Sequence, residues 1–480
     1  MISQARHIGF LASLAMQSAA SSLQYAIPSK PPQNATPLEP TPIGMLFEFY
    51  MWPSYMTNIT PPMHCVERLS DIYGHKTPIR IGGTTQDRAT YDPDFDGYIS
   101  YINDDPLVAP MELTYGPKFW DLIAKYDTES MLGFNRGDNN RTNMLSAVLE
   151  ARRRAGSQLW AVEIGNEPDV YNMWNKSIVV PPWNASQEGE SAADWAQSFI
   201  DVWEEPLPII AAGSYAVTFP DNPNWPNVPY LINTAFNHSG KAGVKTYSGH
   251  LYAAPPNETD LAGEMNHAKT VSDLAVFTES IALSHSEGRP FILGETSFHP
   301  YDVHMDETFG AALAALDKSM RAVTMGIQPL FNWWSDDQIN APFYGGYMAV
   351  LALADGTRIV ELDEGNSSYA VYVIYSGQIA SKILLVNTDY YASGVRAEAR
   401  FTLTGLRASR VSALRLTAQS SEVVTTRNQT QPSAHPTLGG QWFSNADCSS
   451  LGSRKIETAR VARGTATFSL KASEALLIYV

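Results

Sequence analysis

Cysteine is nearly absent from the chain, which has only Cys65 and Cys448 among its 480 residues. Two cysteines cannot build the multi-bridge framework of a small secreted domain. Neither lies in a Cys/His arrangement typical of a metal site or a thiol nucleophile, so we predict no metal. The two residues could form one bridge between the ends of the chain, or remain two separate buried thiols, and the sequence leaves both possibilities open.

Long apolar runs and clusters of basic residues are also lacking. No run approaches the roughly 18 apolar residues of a membrane span, so we predict no membrane partner. The chain has 33 Lys and Arg against 49 Asp and Glu, and its net charge of −16 argues against nucleic acid as a partner. No phosphate-binding glycine fingerprint follows the first predicted strand, and we predict no cofactor. Nothing in the sequence indicates an oligomeric state.

The residues that are present describe a secreted globular protein. Apolar residues make up 44% and charged residues 17% of the chain, whose length allows one large and one smaller domain. Residues 1–25 resemble a short secretory signal peptide, with cleavage expected between Ala19 and Ala26. Nine Asn-X-Ser/Thr sequons, about twice the chance number, predict an N-glycosylated extracellular protein. They lie at Asn34, Asn58, Asn140, Asn175, Asn184, Asn237, Asn257, Asn366 and Asn428.

Eight short apolar segments alternate with helical patterns between residues 41 and 345. Such alternation indicates parallel strands, and eight units of this length predict a closed (β/α)₈ TIM barrel, with an open doubly wound sheet as the alternative. The predicted strands are 43–50, 78–83, 130–134, 159–164, 209–213, 244–252, 291–295 and 327–334. The predicted helices are 62–73, 117–126, 142–155, 191–203, a segment within 229–236, 268–285 and 309–325.

The C-terminal part of the chain has a different pattern. Beyond residue 345, helical periodicity disappears and short segments alternate apolar and polar residues at period two. This pattern predicts an all-β sandwich over residues 346–480, and the segment 26–40 is a candidate for one additional strand. The predicted strands are 371–375, 382–387, 399–403, 411–417, 466–470 and 475–480.

Two glutamates follow the fourth and seventh predicted barrel strands, which are the positions from which barrel enzymes take catalytic groups. Glu167 lies in Gly-Asn-Glu-Pro, and Glu295 ends the strand Phe-Ile-Leu-Gly-Glu. A solvated loop residue is the alternative for Glu167 alone. Retaining glycoside hydrolysis needs two carboxyl groups about 5–5.5 Å apart, one to protonate the leaving oxygen and one to attack the anomeric carbon. The pair therefore predicts this reaction.

Further side chains at the strand ends predict the substrate site. Asn166 is placed to hydrogen-bond a sugar 2-hydroxyl, and the Tyr252 hydroxyl to hold the nucleophile. Trp333 and Trp334 are expected to stack on a sugar, although packing at the barrel rim is the alternative for one of them. The predicted substrate-binding residues at strand ends are Glu48, Asn166, His250, Tyr252, Trp333 and Trp334.

Several motifs carry a resemblance to a known family. Asn-Glu-Pro, Gly-Glu and His-X-Tyr resemble the clan A retaining glycoside hydrolases. More specifically, the chain resembles glycoside hydrolase family 79, the fungal β-glucuronidases related to heparanase, over nearly its whole length, including the C-terminal sandwich. The stretches that carry this second resemblance are Phe47-Glu48-Phe49, Arg-Ile-Gly-Gly-Thr-Thr-Gln-Asp-Arg from Arg80, Val-Glu-Ile-Gly-Asn-Glu-Pro-Asp from Val162, Leu-Gly-Glu-Thr-Ser from Leu293 and Thr-Phe-Gly-Ala-Ala from Thr308.

The resemblance implies roles for single residues. Glu167 would be the general acid/base and Glu295 the nucleophile, while Glu48, Asn166 and Tyr252 would contact the substrate or the nucleophile. The family binds the glucuronate carboxylate largely through tyrosine hydroxyls and backbone amides after strands seven and eight. Tyr301 and Tyr344 are the nearest candidates for that contact.

Together these features predict an exo-acting, retaining β-glucuronidase that releases glucuronic acid, or its 4-O-methyl ether, from glycans. An endo-acting, heparanase-like enzyme is one alternative, but it should need clustered Lys and Arg for a sulfated chain. Another clan A activity, such as β-glucosidase or β-xylanase, is a second. A non-catalytic carbohydrate-binding protein is a third, and the presence of both glutamates argues against it.

Overall fold

Eight parallel strands, β1 to β8, form a closed barrel in the computed structural model of the chain. The structure describes residues 21–480 except 60, 104, 106–107, 254–258, 298–302, 332–333, 336–337 and 427–434. The barrel closes where Leu330 and Phe331 of the last strand pair with Gly44 and Met45 of the first. The predicted (β/α)₈ architecture is confirmed. The strands are β1 Gly44–Glu48, β2 Ile79–Gly82, β3 Ser130–Phe134, β4 Leu159–Ile164, β5 Ile210–Tyr215, β6 Val244–Leu251, β7 Phe291–Thr296 and β8 Ile327–Phe331.

The strands are apolar because helices cover the barrel outside and side chains fill it inside. Met45 and Phe47 belong to the large outer core, so the alternating residue Leu46 points into the barrel. There it joins a small separate cluster with residues from β3, β4, β5, β7 and β8. Every position of β3 and β7 is buried.

The predicted helices surround the barrel, but the structure adds short ones at Trp52–Thr57, His238–Gly243, Leu261–Glu264 and Val303–Asp306. The segment predicted within 229–236 is mostly a π turn, and two longer helices differ from their predicted bounds. The predicted helix 268–285 is broken at Val276 and Phe277, where the buried Phe277 ring packs against Phe291. The predicted helix 191–203 begins earlier, because Asn184 caps an additional first turn. The α-helices that follow β1 to β7 are Trp52–Thr57, Pro61–Tyr73, Lys118–Tyr126, Arg141–Ala155, Ala185–Val202, Val228–Tyr230, His238–Gly243, Leu261–Glu264, His267–Ala275, Thr278–Ser286, Val303–Asp306 and Phe309–Thr324.

Short elements complete the barrel. A small sheet after β2 is made of Ala89–Tyr91, Ile99–Tyr101 and Leu113–Tyr115. Single turns of 3₁₀ helix cover Thr84–Arg88 and Pro168–Val170, and a π turn covers Leu231–Ala235. Trp334–Ser335 pairs with Gln338–Ile339 after β8.

One helix of 13 residues, Ala341–Leu353, crosses the predicted domain boundary at residues 345 and 346. It packs against the helix Phe309–Thr324, and all of its residues except Leu351 are buried. A helix that is apolar on all sides has no amphipathic period, which is why no helical pattern was recognisable there.

The C-terminal part forms the predicted all-β domain. Its larger sheet has the strand order Thr36–Pro37, Arg358–Glu361, Tyr369–Ser376, Ile379–Asn387, Glu474–Tyr479, Arg410–Thr417 and Thr437–Leu438, with Glu457–Arg460 paired to Arg410–Thr417. Its smaller sheet joins Ser21–Ala26, Glu398–Thr404 and Ala466–Lys471. A separate pair is Trp442–Phe443 with Ser450–Leu451.

Two connections tie the N-terminal segment and the barrel to the sandwich. Ser21–Ala26 runs parallel to Glu398–Thr404, and Thr36–Pro37 adds a short edge strand within the segment 26–40. Cys65 of a barrel helix and Cys448 of the sandwich domain form a disulfide bond. In the part of the chain that the structure describes, no helix is long and apolar enough to cross a membrane.

Candidate active site

Glu167 and Glu295 come together at the C-terminal mouth of the barrel. A carboxylate oxygen of Glu167 and one of Glu295 lie within 4.8 Å of each other. The Glu295 side chain is 8% exposed and that of Glu167 is 19% exposed, so the first is sheltered and the second reaches toward solvent. The separation suits a retaining pair, because an inverting pair is about 6.5–9.5 Å apart to leave room for a water molecule.

The backbone after β4 bends sharply to present Glu167. Gly165 has a φ of 89°, and a Cβ there would lie 2.3 Å from the Tyr171 hydroxyl oxygen, so only glycine fits. Glu167 itself has φ 48° and ψ 51°, a left-handed conformation that costs a non-glycine residue about 1 kcal/mol or more. Its N–H donates to the Ser214 carbonyl, and Pro168 begins a 3₁₀ turn. Such strain persists where the surrounding contacts hold it, and it is typical of active sites.

Glu295 is held as a carboxylate. Arg80 Nη1 donates to its Oε1 at 2.7 Å, and the Tyr252 hydroxyl donates to its Oε2 at 2.7 Å. Burial alone raises the pKa of Glu295, but the charges of His250 and Arg80 and these two hydrogen bonds outweigh it and hold the pKa below the ordinary value. An ionised, sheltered carboxylate is what a nucleophile requires.

His250 lies between the two glutamates. Its Nδ1 is 3.0 Å from Glu167 Oε1 and 3.7 Å from Glu295 Oε2. Burial lowers the pKa of His250, yet the Glu295 charge and the hydrogen bond to Glu167 raise it above the ordinary value overall. The imidazole therefore bridges the pair and orients the Glu167 carboxyl group.

Arg80 connects most of the site; it lies at the end of the second predicted strand and begins a family-like stretch, but the sequence assigned it no role. Besides Glu295 it donates to both oxygens of Glu163 and, at 2.8 Å, to Asn166 Oδ1. Glu163 also accepts from the Ser214 hydroxyl at 2.8 Å. Because the Asn166 oxygen is occupied by Arg80, its NH₂ group is the end available to a substrate. The sequence signal for this ion pair was one charged residue inside each of two otherwise buried strands, Arg80 in β2 and Glu163 in β4.

Two aspartates, also missed by sequence reasoning, support the loop that carries Glu167. Asp87 accepts from the Asn166 N–H at 2.7 Å and the Tyr171 hydroxyl at 2.6 Å. Asp169 accepts from Trp225 Nε1 at 3.0 Å and from two backbone N–H groups after β5. Burial, followed by the Glu167 charge, raises the pKa of Asp169 to about 7.

Glu48 lies at the end of β1, where it was predicted. Its Oε1 accepts from the N–H and the hydroxyl of Thr85. Gly83, with a φ of 92°, provides the necessary room, because a Cβ there would lie 2.0 Å from Glu48 Oε2. Burial, followed by the Glu295 charge, raises the pKa of Glu48 to about 7, so near neutral pH this carboxyl group can donate or accept a hydrogen bond.

The prediction that Tyr344 binds substrate needs correction. The side chain is buried in the helix Ala341–Leu353, its ring packs on Phe443, and its hydroxyl accepts from the Phe443 N–H at 3.1 Å. It is therefore committed to the contact between barrel and sandwich. Tyr301 and Trp333 lie outside the described residues, as does the side chain of Trp334.

Within the part of the chain that the structure describes, two groups of side chains have donor atoms close enough to hold a metal ion. One is Glu167, His250 and Glu295 and the other is His267, Glu361 and Asp363, with the donor atoms of each group within 4.8 Å of one another. In the first group the carboxylates are already engaged by Arg80, Tyr252 and His250. Proton transfer and nucleophilic attack by two carboxyl groups need no metal.

The chain is similar to known proteins over most of its length. The model of the "Glycosyl hydrolase family 79 C-terminal beta domain" matches residues 369–477. A β-glucuronidase of Aspergillus niger is 28% identical over 464 residues, covering 83% of each chain. One of Neurospora crassa is 26% identical over 448 residues, covering 82% of this chain and 79% of the other.

Solved structures extend the similarity to the whole fold. A 4-O-α-L-rhamnosyl-β-D-glucuronidase of Fusarium oxysporum 12S is 34% identical with a TM-score of 0.88, covering 95% of this chain and 100% of the other. A family 51 α-L-arabinofuranosidase of Bifidobacterium longum, at 13% identity and a TM-score of 0.62, shares the fold alone. On the strength of the Fusarium enzyme and of the matched C-terminal domain, the chain belongs to glycoside hydrolase family 79.

Proposed function

We propose that this protein is a retaining exo-β-glucuronidase. The observation that carries the reaction type is the close pair of Glu167 and Glu295, in which His250, Arg80 and Tyr252 lower the pKa of Glu295 against the effect of burial. Support for glucuronic acid as the sugar comes from relatives, because the Aspergillus and Neurospora proteins are β-glucuronidases.

In the first step, a Glu295 oxygen attacks the anomeric carbon as the bond to the leaving oxygen breaks. Glu167 donates its proton to that oxygen, so the aglycone departs as a neutral alcohol. Positive charge develops on the sugar ring in the transition state, where the neighbouring carboxylates stabilise it. The Asn166 NH₂ group is placed to bind the 2-hydroxyl.

In the second step, Glu167, now a carboxylate, takes a proton from water, and the resulting hydroxide attacks the anomeric carbon. The ester bond to Glu295 breaks and returns the carboxylate to its hydrogen bonds with Arg80 and Tyr252. Two inversions give net retention of the β configuration.

The first experiment compares p-nitrophenyl β-glucuronide with p-nitrophenyl β-glucoside. We expect release of p-nitrophenol from the glucuronide at least about 100-fold faster, and proton NMR of the fresh product should show the β anomer first. Faster hydrolysis of the glucoside would replace this proposal by another clan A activity. Initial formation of the α anomer would refute the retaining mechanism.

A second candidate is release of a 4-O-substituted glucuronic acid. The observation that favours it is the Fusarium relative, a 4-O-α-L-rhamnosyl-β-D-glucuronidase that is more similar in sequence than the two curated β-glucuronidases. Hydrolysis of p-nitrophenyl β-glucuronides with and without 4-O-rhamnose distinguishes the two. A higher kcat/KM for the rhamnosylated compound would establish the second candidate.

Secretion and N-glycosylation are also part of the proposal. The disulfide between Cys65 and Cys448 suits an oxidising compartment. All seven sequon asparagines within the described residues are at least partly exposed, and those at 257 and 428 lie outside them. Because the strand Ser21–Ala26 pairs within the sandwich, we expect cleavage before this strand rather than within it, and the N-terminal mass of the secreted protein tests this.

A further inference from the structure

A bulge interrupts the pairing of β6 and β7 directly before the nucleophile. Leu293 of β7 is opposite Gly249 of β6. Glu295, two residues further along β7, is opposite His250, the very next residue of β6. Gly294 is thus an extra residue without an opposite partner, and bulges of this kind redirect side chains next to active sites. Gly294 does not have a positive φ, so its backbone conformation alone does not require glycine.

Two buried polar atoms border the space beside Gly294. A Cβ on Gly294 would lie 2.6 Å from Ser248 Oγ and 3.2 Å from His250 Nε2. Both side chains are fully buried, and neither atom has a hydrogen-bond partner among the described residues. The two atoms are therefore less than about 6 Å apart without bonding to each other. Buried polar groups nearly always find a partner, because burial without one is unfavourable.

We propose that Ser248 is a positioning residue for His250 and acts through one buried water molecule in the space that Gly294 leaves. A water molecule with hydrogen bonds of about 2.8–3.0 Å to each atom spans a gap of this size. It accepts from the His250 Nε2–H group and exchanges a hydrogen bond with the Ser248 hydroxyl, which can donate or accept. Buried water commonly joins polar groups that have no other partner.

The proton on His250 Nε2 determines what the other ring nitrogen can do. Nδ1 lies 3.0 Å from Glu167 Oε1, and Glu167 alternates between an acid and a carboxylate in the proposed reaction. With Nε2–H held by the water molecule, Nδ1 accepts from the Glu167 carboxyl group or carries a proton and donates to the Glu167 carboxylate. One proton is thereby shared between Nδ1 and Glu167. This step rests on the proposed function, because it concerns the acid/base of that reaction.

The charges around His250 support a proton on each ring nitrogen. The charged groups that act on the imidazole are those of Glu167, Glu295, Arg80 and Asp169. Burial lowers the pKa of His250, but the Glu295 charge and the hydrogen bond to Glu167 outweigh burial and the opposing Arg80 charge, and raise the pKa above its ordinary value. A buried Nε2–H group then needs an acceptor, and the bridging water molecule provides it.

Without the Ser248 hydroxyl, a different neutral form of the imidazole becomes accessible. Nε2 loses its proton while Nδ1 keeps one, and this tautomer can only donate to a Glu167 carboxylate. The pair of Glu167 and His250 then holds one proton fewer at a given pH. The form that is able to protonate a leaving oxygen is therefore less populated, whereas the nucleophile is unaffected.

The kinetic test compares Ser248→Ala with Ser248→Thr, which keeps the hydroxyl group. On phenyl β-glucuronide, whose leaving oxygen needs a proton, we expect kcat/KM of Ser248→Ala to fall about 5- to 20-fold near neutral pH, with the basic limb of its pH profile moved to lower pH by about 0.5–1 unit. On β-glucuronyl fluoride the fall should be less than about twofold. Ser248→Thr should recover most of the rate. Ser130→Ala is the matched control, because it removes a buried serine hydroxyl at the N-terminal end of β3, and it should change neither rate.

A high-resolution crystal structure of the wild type tests the bridge independently of activity. We expect one water molecule within hydrogen-bond distance of both Ser248 Oγ and His250 Nε2. A direct hydrogen bond between the two side chains, or a Ser248 hydroxyl turned away from the imidazole, would refute the bridge. Equal losses on both substrates, or a loss without a shift of the pH profile, would refute the positioning role. If the wild type hydrolyses neither glucuronide, the proposed function fails, and the crystal structure still decides whether the water molecule is bound.

Discussion

Two buried histidines in this protein are each surrounded by carboxylates, but in different ways. His250 lies at the barrel mouth between Glu167 and Glu295. His267 lies where the barrel meets the sandwich, with Nδ1 2.8 Å from Asp317 and Nε2 2.9 Å from Asp363. Each group also contains a buried or half-buried arginine, Arg80 in the first and Arg321 in the second.

The two clusters differ in which of their polar groups remain accessible to a ligand. Both ring nitrogens of His267 face carboxylates, and Asp317 also accepts from the Tyr372 hydroxyl at 2.7 Å. In contrast, His250 Nε2 has no hydrogen-bond partner among the described residues, and Glu167 lines a large cavity. The His267 cluster leaves Glu361 Oε1 and Arg321 Nε without a hydrogen-bond partner among the described residues, but both nitrogens of its histidine are engaged within the fold. A cluster that presents one strained carboxyl group to a cavity can react.

The largest effect should come from Glu295→Ala. We expect kcat on p-nitrophenyl β-glucuronide to fall by about 10⁴-fold or more, the scale of losing a nucleophile. Azide should restore turnover and give the α-glucuronyl azide, because the small anion occupies the space of the missing carboxylate. Robust activity without azide would contradict the assigned role.

Glu167→Ala should have a smaller and substrate-dependent effect. We expect a loss of about 10²–10⁴-fold on glucuronyl disaccharides, whose leaving oxygen needs a proton. The loss in the first step should be much smaller for β-glucuronyl fluoride, because fluoride departs without strong acid assistance. Azide should here give the β-glucuronyl azide. Equal losses on both substrates would remove the acid role from Glu167.

The second cluster should respond in stability rather than in activity. Asp317→Ala leaves a buried histidine cation with one partner fewer, so we expect the free energy of unfolding to fall by about 3 kcal/mol. Urea unfolding measures this, and kcat/KM of the folded variant should stay within about twofold of wild type. A large fall in kcat/KM at unchanged stability would break the distinction between the two clusters.

The catalytic pair could be predicted because its signals are local. Glu167 and Glu295 each end a short apolar strand, and the alternation of strands and helices places all such ends at one mouth. The same reasoning placed Glu48, His250 and Tyr252 there. Their roles in substrate binding stay predictions.

What could not be predicted depends on contacts between distant segments. The pairing of Arg80 with Glu163 requires knowing that two strands direct these side chains into the barrel at the same height. Tyr344 lies on a helix that is buried on all sides, so its sequence shows neither the helix nor its contact with Phe443. The elements around His267 are far apart in sequence and carry no motif.

The smallest predicted effect is a change of the free energy of unfolding with pH, which compares the two clusters again. Burial lowers the pKa of His267, but Asp317 and Asp363 outweigh it and raise the pKa to about 10. Since the folded pKa lies above the unfolded value of about 6.5, the stabilisation is fully present below about pH 6.5 and is lost as pH rises through 10. Burial raises the pKa values of the Glu48 and Asp169 carboxyl groups to about 7. Their titration therefore changes the free energy of unfolding mainly below pH 7, outside the range in which His267 loses its proton.

We therefore expect the difference in unfolding free energy between wild type and Asp317→Ala to shrink from pH 7 to pH 9.5, by at least about 1 kcal/mol. Lys118→Ala is the control, because its ion pair with Asp96 is exposed and its loss should leave the free energy of unfolding nearly unchanged at either pH. A difference that does not change with pH would show that the His267 cluster stabilises through packing rather than charge. The contrast with the His250 cluster would then rest on the open cavity that Glu167 lines.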